Sequence, residues 1–216
     1  MRRKSAFTLI ELLVVISIIL VVSSIIFIGG SGGDGAKLRS AQRIVSGIAQ
    51  GARGHAILKN AKSRLIIYSD IVSNDDDEKK LRFFGIIYEE LDSSGVPTGN
   101  WYAATQGTYL PEGIYFNPGL SKDWSINNSM KINFPRAKAQ GVGTGEDFYY
   151  YEFDSNGTMA TSFDNDWLAL QSVTLRPGRP KPVDFDEPKN EGLKAAIIFR
   201  RIGSTTLVKN PTDVKP

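Results

Sequence analysis

Among residues 7–28 the only charged side chain is Glu11. Placing an acidic side chain in the middle of an apolar helix costs about 2.5–3.5 kcal/mol on insertion scales, so such a carboxylate is functional by default and requires an opposite charge. Its chemistry would be ion pairing. Other groups offer less. Asp75, Asp76, Asp77 and Glu78, and Asp164, Asn165 and Asp166, could present hard oxygen ligands to calcium, but neither cluster has the spacing or turn glycine of a calcium loop. His55 is the single histidine and has no second histidine or carboxylate at ligand spacing, so it is expected on a helix face. No Gly-x-Ser-x-Gly and no phosphate loop occurs. No catalytic residue, metal or cofactor is expected. Arg176, Arg179 and Lys181, with Arg200 and Arg201, could contact nucleic-acid phosphates, but they form no basic stripe, and Asp184, Asp186 and Glu187 follow the first group at once.

The element that positions Glu11 is a membrane helix. Arg2, Arg3 and Lys4 precede the apolar run, and cations at that end stay in the cytoplasm, which directs the rest of the chain across the membrane. An ordinary secretory signal peptide is the competing reading, with residues 29–33 supplying small side chains for cleavage; its apolar core would be shorter and would leave Glu11 without purpose. The 216 residues allow one globular domain beyond the helix, and 41% apolar residues suffice for its core. The formal charge of +3 does not imply a nucleic-acid partner: removal of Arg2, Arg3 and Lys4 takes Lys plus Arg from 26 to 23, against 23 Asp plus Glu. With no cysteine there is no disulfide, lipoprotein anchor or thiolate site.

The sequence Lys4-Ser5-Ala6-Phe7-Thr8-Leu9-Ile10-Glu11-Leu12-Leu13 resembles the class III leader of type IV pilins and type II secretion pseudopilins. The resemblance implies cleavage by prepilin peptidase between Ala6 and Phe7, N-methylation of Phe7, and an assembly role for Glu11. The family usually has Gly before the cut, where this chain has the equally small Ala6. A new amine on one membrane helix and a carboxylate on its neighbour would pair in low dielectric, and because an unpaired buried charge is costly, that pair would specify the stagger of adjacent subunits.

Downstream, Gly29-Gly30-Ser31-Gly32-Gly33-Asp34-Gly35 opposes helix formation, each Gly costing about 1 kcal/mol relative to Ala, and predicts a hinge or linker over 29–35. Leu38, Ala41, Val45, Ile48, Ala52 and His55 then recur at intervals of three and four, the signature of an amphipathic helix over 36–60. Strands are predicted at 64–69, 81–90, 100–104, 113–116, 130–134, 148–153, 168–175 and 195–202, with a solvated acidic loop at 74–78 and turns at 92–99 and 154–157. The run from Ala52-Arg53 through Ala56-Ile57 into Arg64-Leu65-Ile66-Ile67-Tyr68, together with Leu110-Pro111-Glu112-Gly113-Ile114 and Phe153-Asp154-Ser155-Asn156-Gly157, is similar to the H-type pseudopilins and related minor pilins.

The expected protein is α+β and pilin-like: leader 1–6, transmembrane helix 7–28, hinge 29–35, amphipathic helix 36–60 and an antiparallel β domain over 61–216. Its expected role is a structural, non-enzymatic, H-like minor pseudopilin of a type II secretion pseudopilus. The alternative is a minor pilin of a type IV pilus, including one for DNA uptake. Expected partners are other pilin or pseudopilin subunits, prepilin peptidase, the bacterial inner membrane and the assembly platform. Nucleic acid is not favoured. The chain would span the inner membrane once, with its N-terminus cytoplasmic before processing and its C-terminal domain periplasmic.

Overall fold

The structure is a computed structural model. It describes residues 16, 33–69, 78–122, 124, 128–136, 138–160, 163, 165–173, 185 and 193–209. The chain divides into two units, residues 1–33 and 34–216. Of the first, only Ile16, helical and half exposed, and Gly33 are described. The second unit holds one helix and the strands.

Helix α1 (Asp34–Lys59) carries an acid in its first turn and a base in its last, each complementing the helix dipole. It stops at Asn60, whose φ of 49° is the left-handed conformation that Asn tolerates. There the Ala61 N–H reaches the Ala56 carbonyl at 3.2 Å and the Asn60 N–H the Ile57 carbonyl at 3.3 Å, which satisfies the last turn. Its inward face is built from small residues, Ala41, Val45, Ala49, Ala52 and Ala56, all with zero exposure, so the helix lies close to the strands beneath.

Eleven strands follow among the described residues: β1 (Ser63–Tyr68), β2 (Phe83–Leu91), β3 (Pro97–Ala103), β4 (Thr108–Tyr109), β5 (Ile114–Phe116), β6 (Ser129–Ile132), β7 (Gln140–Gly141), β8 (Glu146–Phe153), β9 (Trp167–Ser172), β10 (Lys194–Phe199) and β11 (Thr205–Val208). They form two antiparallel sheets. One runs β6-β8-β1-β2-β3-β7, with β4 also paired to β2; the other runs β11-β10-β9-β5. Helix α1 packs on strands of both. The main core gathers its inward face with Leu65 and Ile67 of β1, Phe84 and Ile86 of β2, Leu168 and Leu170 of β9, and Ile197 and Phe199 of β10. Alternation along β1 sends Ile66 and Tyr68 to the opposite face, where Phe83, Ile87, Trp101, Met130, Ile132, Phe134 and Phe148 make a second cluster. Strand β1 is therefore buried on both faces, as its apolar run suits.

The expected α+β arrangement of a helix followed by antiparallel strands is what the described residues adopt. Particular expectations need correction. The helix begins at Asp34, so Asp34 and Gly35 belong to it rather than to a hinge; the acidic first turn offsets the glycine. Ala49 and Ala56 join the expected face as fully buried residues, while Ile48, packed against the core, and His55 are half-buried at its margin. The turn expected over 92–99 is shorter, since Asp92 Oδ1 accepts from the N–H groups of Ser94 and Val96 and closes it, and β3 starts at Pro97. β10 ends at Phe199 rather than running to 202, as Gly203 turns the chain into β11, which was not expected at all. Neither were the two-residue strands β4 and β7. The acidic loop lies outside the described residues up to Asp77.

Candidate functional site

The residues assigned to processing and assembly, Ala6, Phe7 and Glu11, and the cations Arg176, Arg179 and Lys181, lie outside the described residues. Among the described residues no helix is long and apolar enough to cross a membrane. The structure instead shows how the domain holds its own helix against the strands.

Beside its apolar face, α1 carries a polar row, Gln42, Ser46, Gln50 and Arg53. The Gln42 Nε2 donates to the carbonyls of Ala196 at 2.9 Å and Val208 at 2.8 Å. Ser46 Oγ and Thr205 Oγ1 share a hydrogen bond of 2.6 Å, Gln50 Nε2 donates to the Gly203 carbonyl at 3.0 Å, and Arg53 Nε donates to the Gly157 carbonyl at 3.1 Å. The helix is thus fastened along about three turns to the β10–β11 hairpin and the turn after β8. At the crowded end of this seam Gly203 sits at φ +78° against the Gly157 carbonyl, and a methyl added at Gly203 would collide with that oxygen and stand 3.0 Å from Arg53. Gly203→Ala combines left-handed strain with a backbone clash and is expected to cost about 2 kcal/mol or more. In thermal unfolding of residues 34–216 that is a fall of about 4–8 °C; an unchanged transition would show that the seam yields freely.

A second constellation lies on the other face of the large sheet. Arg64 and Glu152 are directly paired across β1 and β8. The Arg64 guanidinium meets Glu152 Oε2 at 2.7 Å and stacks between Trp101 and Tyr150, 4.1 and 3.9 Å from the ring centroids. Glu152, only 8% exposed in its side chain, also accepts from Lys62 at 2.8 Å. That bond, ahead of any burial effect, raises the Lys62 ammonium above its ordinary value. Burial raises the neighbouring Glu89 carboxyl. On the β2–β3 hairpin Glu90 accepts from Asn100 at 3.0 Å, Thr98 at 2.7 Å and Tyr102 at 2.8 Å, which holds its carboxyl below the usual range. None of these groups is a nucleophile poised beside a base; they fix strands to one another.

The remaining sequence candidates are placed in structural roles. His55 is half-buried and stacks parallel to Tyr88 with centroids 6.1 Å apart. Asp166 is fully buried and paired with Lys122 at 2.8 Å, while Asn165 accepts from Arg200 at 3.2 Å, so neither is presented to a calcium ion. Arg200 also donates to Thr206 at 3.3 Å, tying it to the hairpin, whereas Arg201 is exposed in the turn. Sequence reasoning missed the polar row, whose signal was there to read: Gln42, Ser46, Gln50 and Arg53 repeat at helical spacing beside the apolar stripe. It also missed the Arg64–Glu152 pair, for which sequence carries no local signal.

The chain carries a recognised N-terminal signature. Residues 1–27 match the family model of the prokaryotic N-terminal methylation motif. No curated protein matches the chain. Among solved structures it is similar to the type IV minor pilin FimU of Pseudomonas aeruginosa, strain PAO1, with 12% identity and a TM-score of 0.42 over 83% of this chain and 92% of that one. It is also similar to the minor pseudopilin EpsH from the Type 2 Secretion System of Vibrio cholerae, with 14% identity and a TM-score of 0.37 over 79% of this chain and 94% of that one. Similarities of this size carry no conclusion about function.

Proposed function

We propose that the chain is a membrane-anchored structural subunit of a pilin-like filament, made as a precursor, cut between Ala6 and Phe7 by a prepilin peptidase and methylated on Phe7. The observation that carries this reading is the methylation motif over residues 1–27, with Glu11 as the one charged residue of the apolar run 7–28. Residues 7–28 anchor the chain in the bacterial inner membrane, and the domain beyond them is periplasmic. Within this class the reading is an H-like minor pseudopilin of a type II secretion pseudopilus. It is supported by the Ala52-Arg53 to Ala56-Ile57 run closing a helix just ahead of a buried first strand, and by Phe153 through Gly157 forming the tight turn after β8. Other pilin or pseudopilin subunits and the assembly platform are its partners.

Intact mass measurement of the protein purified from its own membranes is expected to give a chain lacking residues 1–6 and bearing one methyl group on Phe7. A mature chain beginning near Asp34 would mean ordinary signal-peptide removal and would overturn the reading.

A further inference from the structure

The N-terminal end of α1 borders a pocket of about 270 Å³ formed with the start of β10 and the residue just after β11. Its lining includes Leu38, Arg39, Gln42, Leu193, Lys194 and Lys209. Three of these are cations, drawn from three separate elements. Among the described residues none of the three forms an ion pair: Arg39 Nε donates only to the Gly35 carbonyl in its own helix at 3.2 Å, and Lys194 and Lys209 make no side-chain contact with a carboxylate. Asp34, the acid of the adjoining turn, faces Lys37 at 3.9 Å. The floor is committed elsewhere, since both Gln42 amide bonds go to strand carbonyls. Leu38 and Leu193 supply an apolar wall.

Three such cations beside an apolar wall suit a ligand with an anionic head and a greasy shoulder. A bare phosphate would use the cations and leave the wall wet. The pocket also stands at the end of the helix that leads back to the apolar run, with only residues 29–33 between them in sequence. We propose that this pocket binds the headgroup of an anionic phospholipid of the membrane in which residues 7–28 are anchored. The phosphate engages Arg39, Lys194 and Lys209, and the first methylenes of the acyl chains lie on Leu38 and Leu193. The proposal rests on the membrane-anchored reading above. Its effect is to hold the start of α1 at the bilayer surface, because each cation near an anionic surface raises affinity by about fivefold, or on the order of a hundredfold for three.

The test uses full-length protein in a zwitterionic detergent, offered phosphatidylglycerol, phosphatidylcholine or inorganic phosphate, with retained adducts read by native mass spectrometry. Phosphatidylglycerol is expected to be retained at least about tenfold over phosphatidylcholine. The combined variant Arg39→Gln, Lys194→Gln, Lys209→Gln is expected to lose that preference. A control variant with Arg136→Gln, Lys138→Gln and Arg201→Gln, at exposed cations outside the pocket, is expected to keep it. Circular dichroism checks that each variant is folded; should the triple variant unfold, Lys209→Glu alone must still cut the preference severalfold. Equal retention of both lipids overturns the proposal. So does a preference that survives the pocket variants, or inorganic phosphate that displaces the lipid fully at equal concentration. Alkaline extraction of native membranes reads the anchor separately: a chain released by it refutes the anchored reading, while lipid preference in detergent still decides the pocket's chemistry.

Discussion

Glu11→Leu is expected to leave the chain inserted, cleaved and methylated, yet absent from the assembled filament. Removing a carboxylate from the apolar run lowers the cost of insertion by at most about 2.5–3.5 kcal/mol, the value for a central position, so membrane partition can only improve. Cleavage between Ala6 and Phe7 reads residues ahead of Glu11 and is expected to proceed. On the proposed filament reading, what disappears is the carboxylate that would pair with the Phe7 amine of an adjacent subunit; a buried amine left without it would cost about 3–5 kcal/mol, a factor of about a hundred or more in each subunit contact. Glu11→Gln keeps the shape and a hydrogen bond, so it separates charge from polarity: incorporation is expected to fail there too. Crosslinking between neighbouring subunits in native membranes provides the measurement, and undiminished crosslinks in Glu11→Leu would make the carboxylate a bystander.

The largest expected effect on the folded domain is at Glu152. Glu152→Leu removes the acid bonded to the Arg64 guanidinium, whose side chain is 16% exposed and held between Trp101 and Tyr150, and leaves it only the unbonded charge of Glu89. Breaking one side of a buried pair costs about 3–5 kcal/mol, here a fall in Tm of about 6–20 °C for residues 34–216. The double change Arg64→Met with Glu152→Leu removes both charges and is expected to recover most of that loss. Lys62 adds an alkaline signature. Its ammonium is raised in the folded state, so its contribution is complete below the ordinary lysine range and is lost as pH climbs through the raised value. That alkaline decline is expected in the parent and weakened in Glu152→Leu, where the largest cause of the shift is gone and only Asp154 and Glu89 still favour the ammonium. A single variant melting within about 1 kcal/mol of the parent would show that Trp101 and Tyr150 hold Arg64 without help.

How far the sequence alone reached depended on the range of the interaction. The helix was legible because Leu38, Ala41, Val45 and Ala52 repeat within a few residues; that it stops at Asn60 through a positive φ is a finding of the structure. The buried first strand was legible because Leu65, Ile66 and Ile67 form a continuous apolar run. Strand β11 was not, since Thr205, Thr206, Leu207 and Val208 make a short edge with one face in water, and its identity depends on the partner that Gly203 folds it against. The Arg64–Glu152 pair spans 88 positions and exists only through the register of β1 on β8. Gln42 reaches Val208 across 166 positions. A polar residue on a helix reads as solvated until the strand that consumes its hydrogen bonds is in place. The N-terminal methylation motif is of the opposite kind: it is confined to residues 1–27, so it is read from a short linear stretch with no fold required.

The seam along α1 also decides how the domain bears load. A force directed along the helix axis meets Gln42, Ser46, Gln50 and Arg53 side by side, so their bonds to Ala196, Val208, Thr205, Gly203 and Gly157 are sheared together rather than opened one after another. A force at right angles would peel them singly, starting from one end. The domain is therefore mechanically anisotropic: stiff to a push or pull transmitted lengthwise through the helix, and weak to a sideways tug on the β10–β11 hairpin.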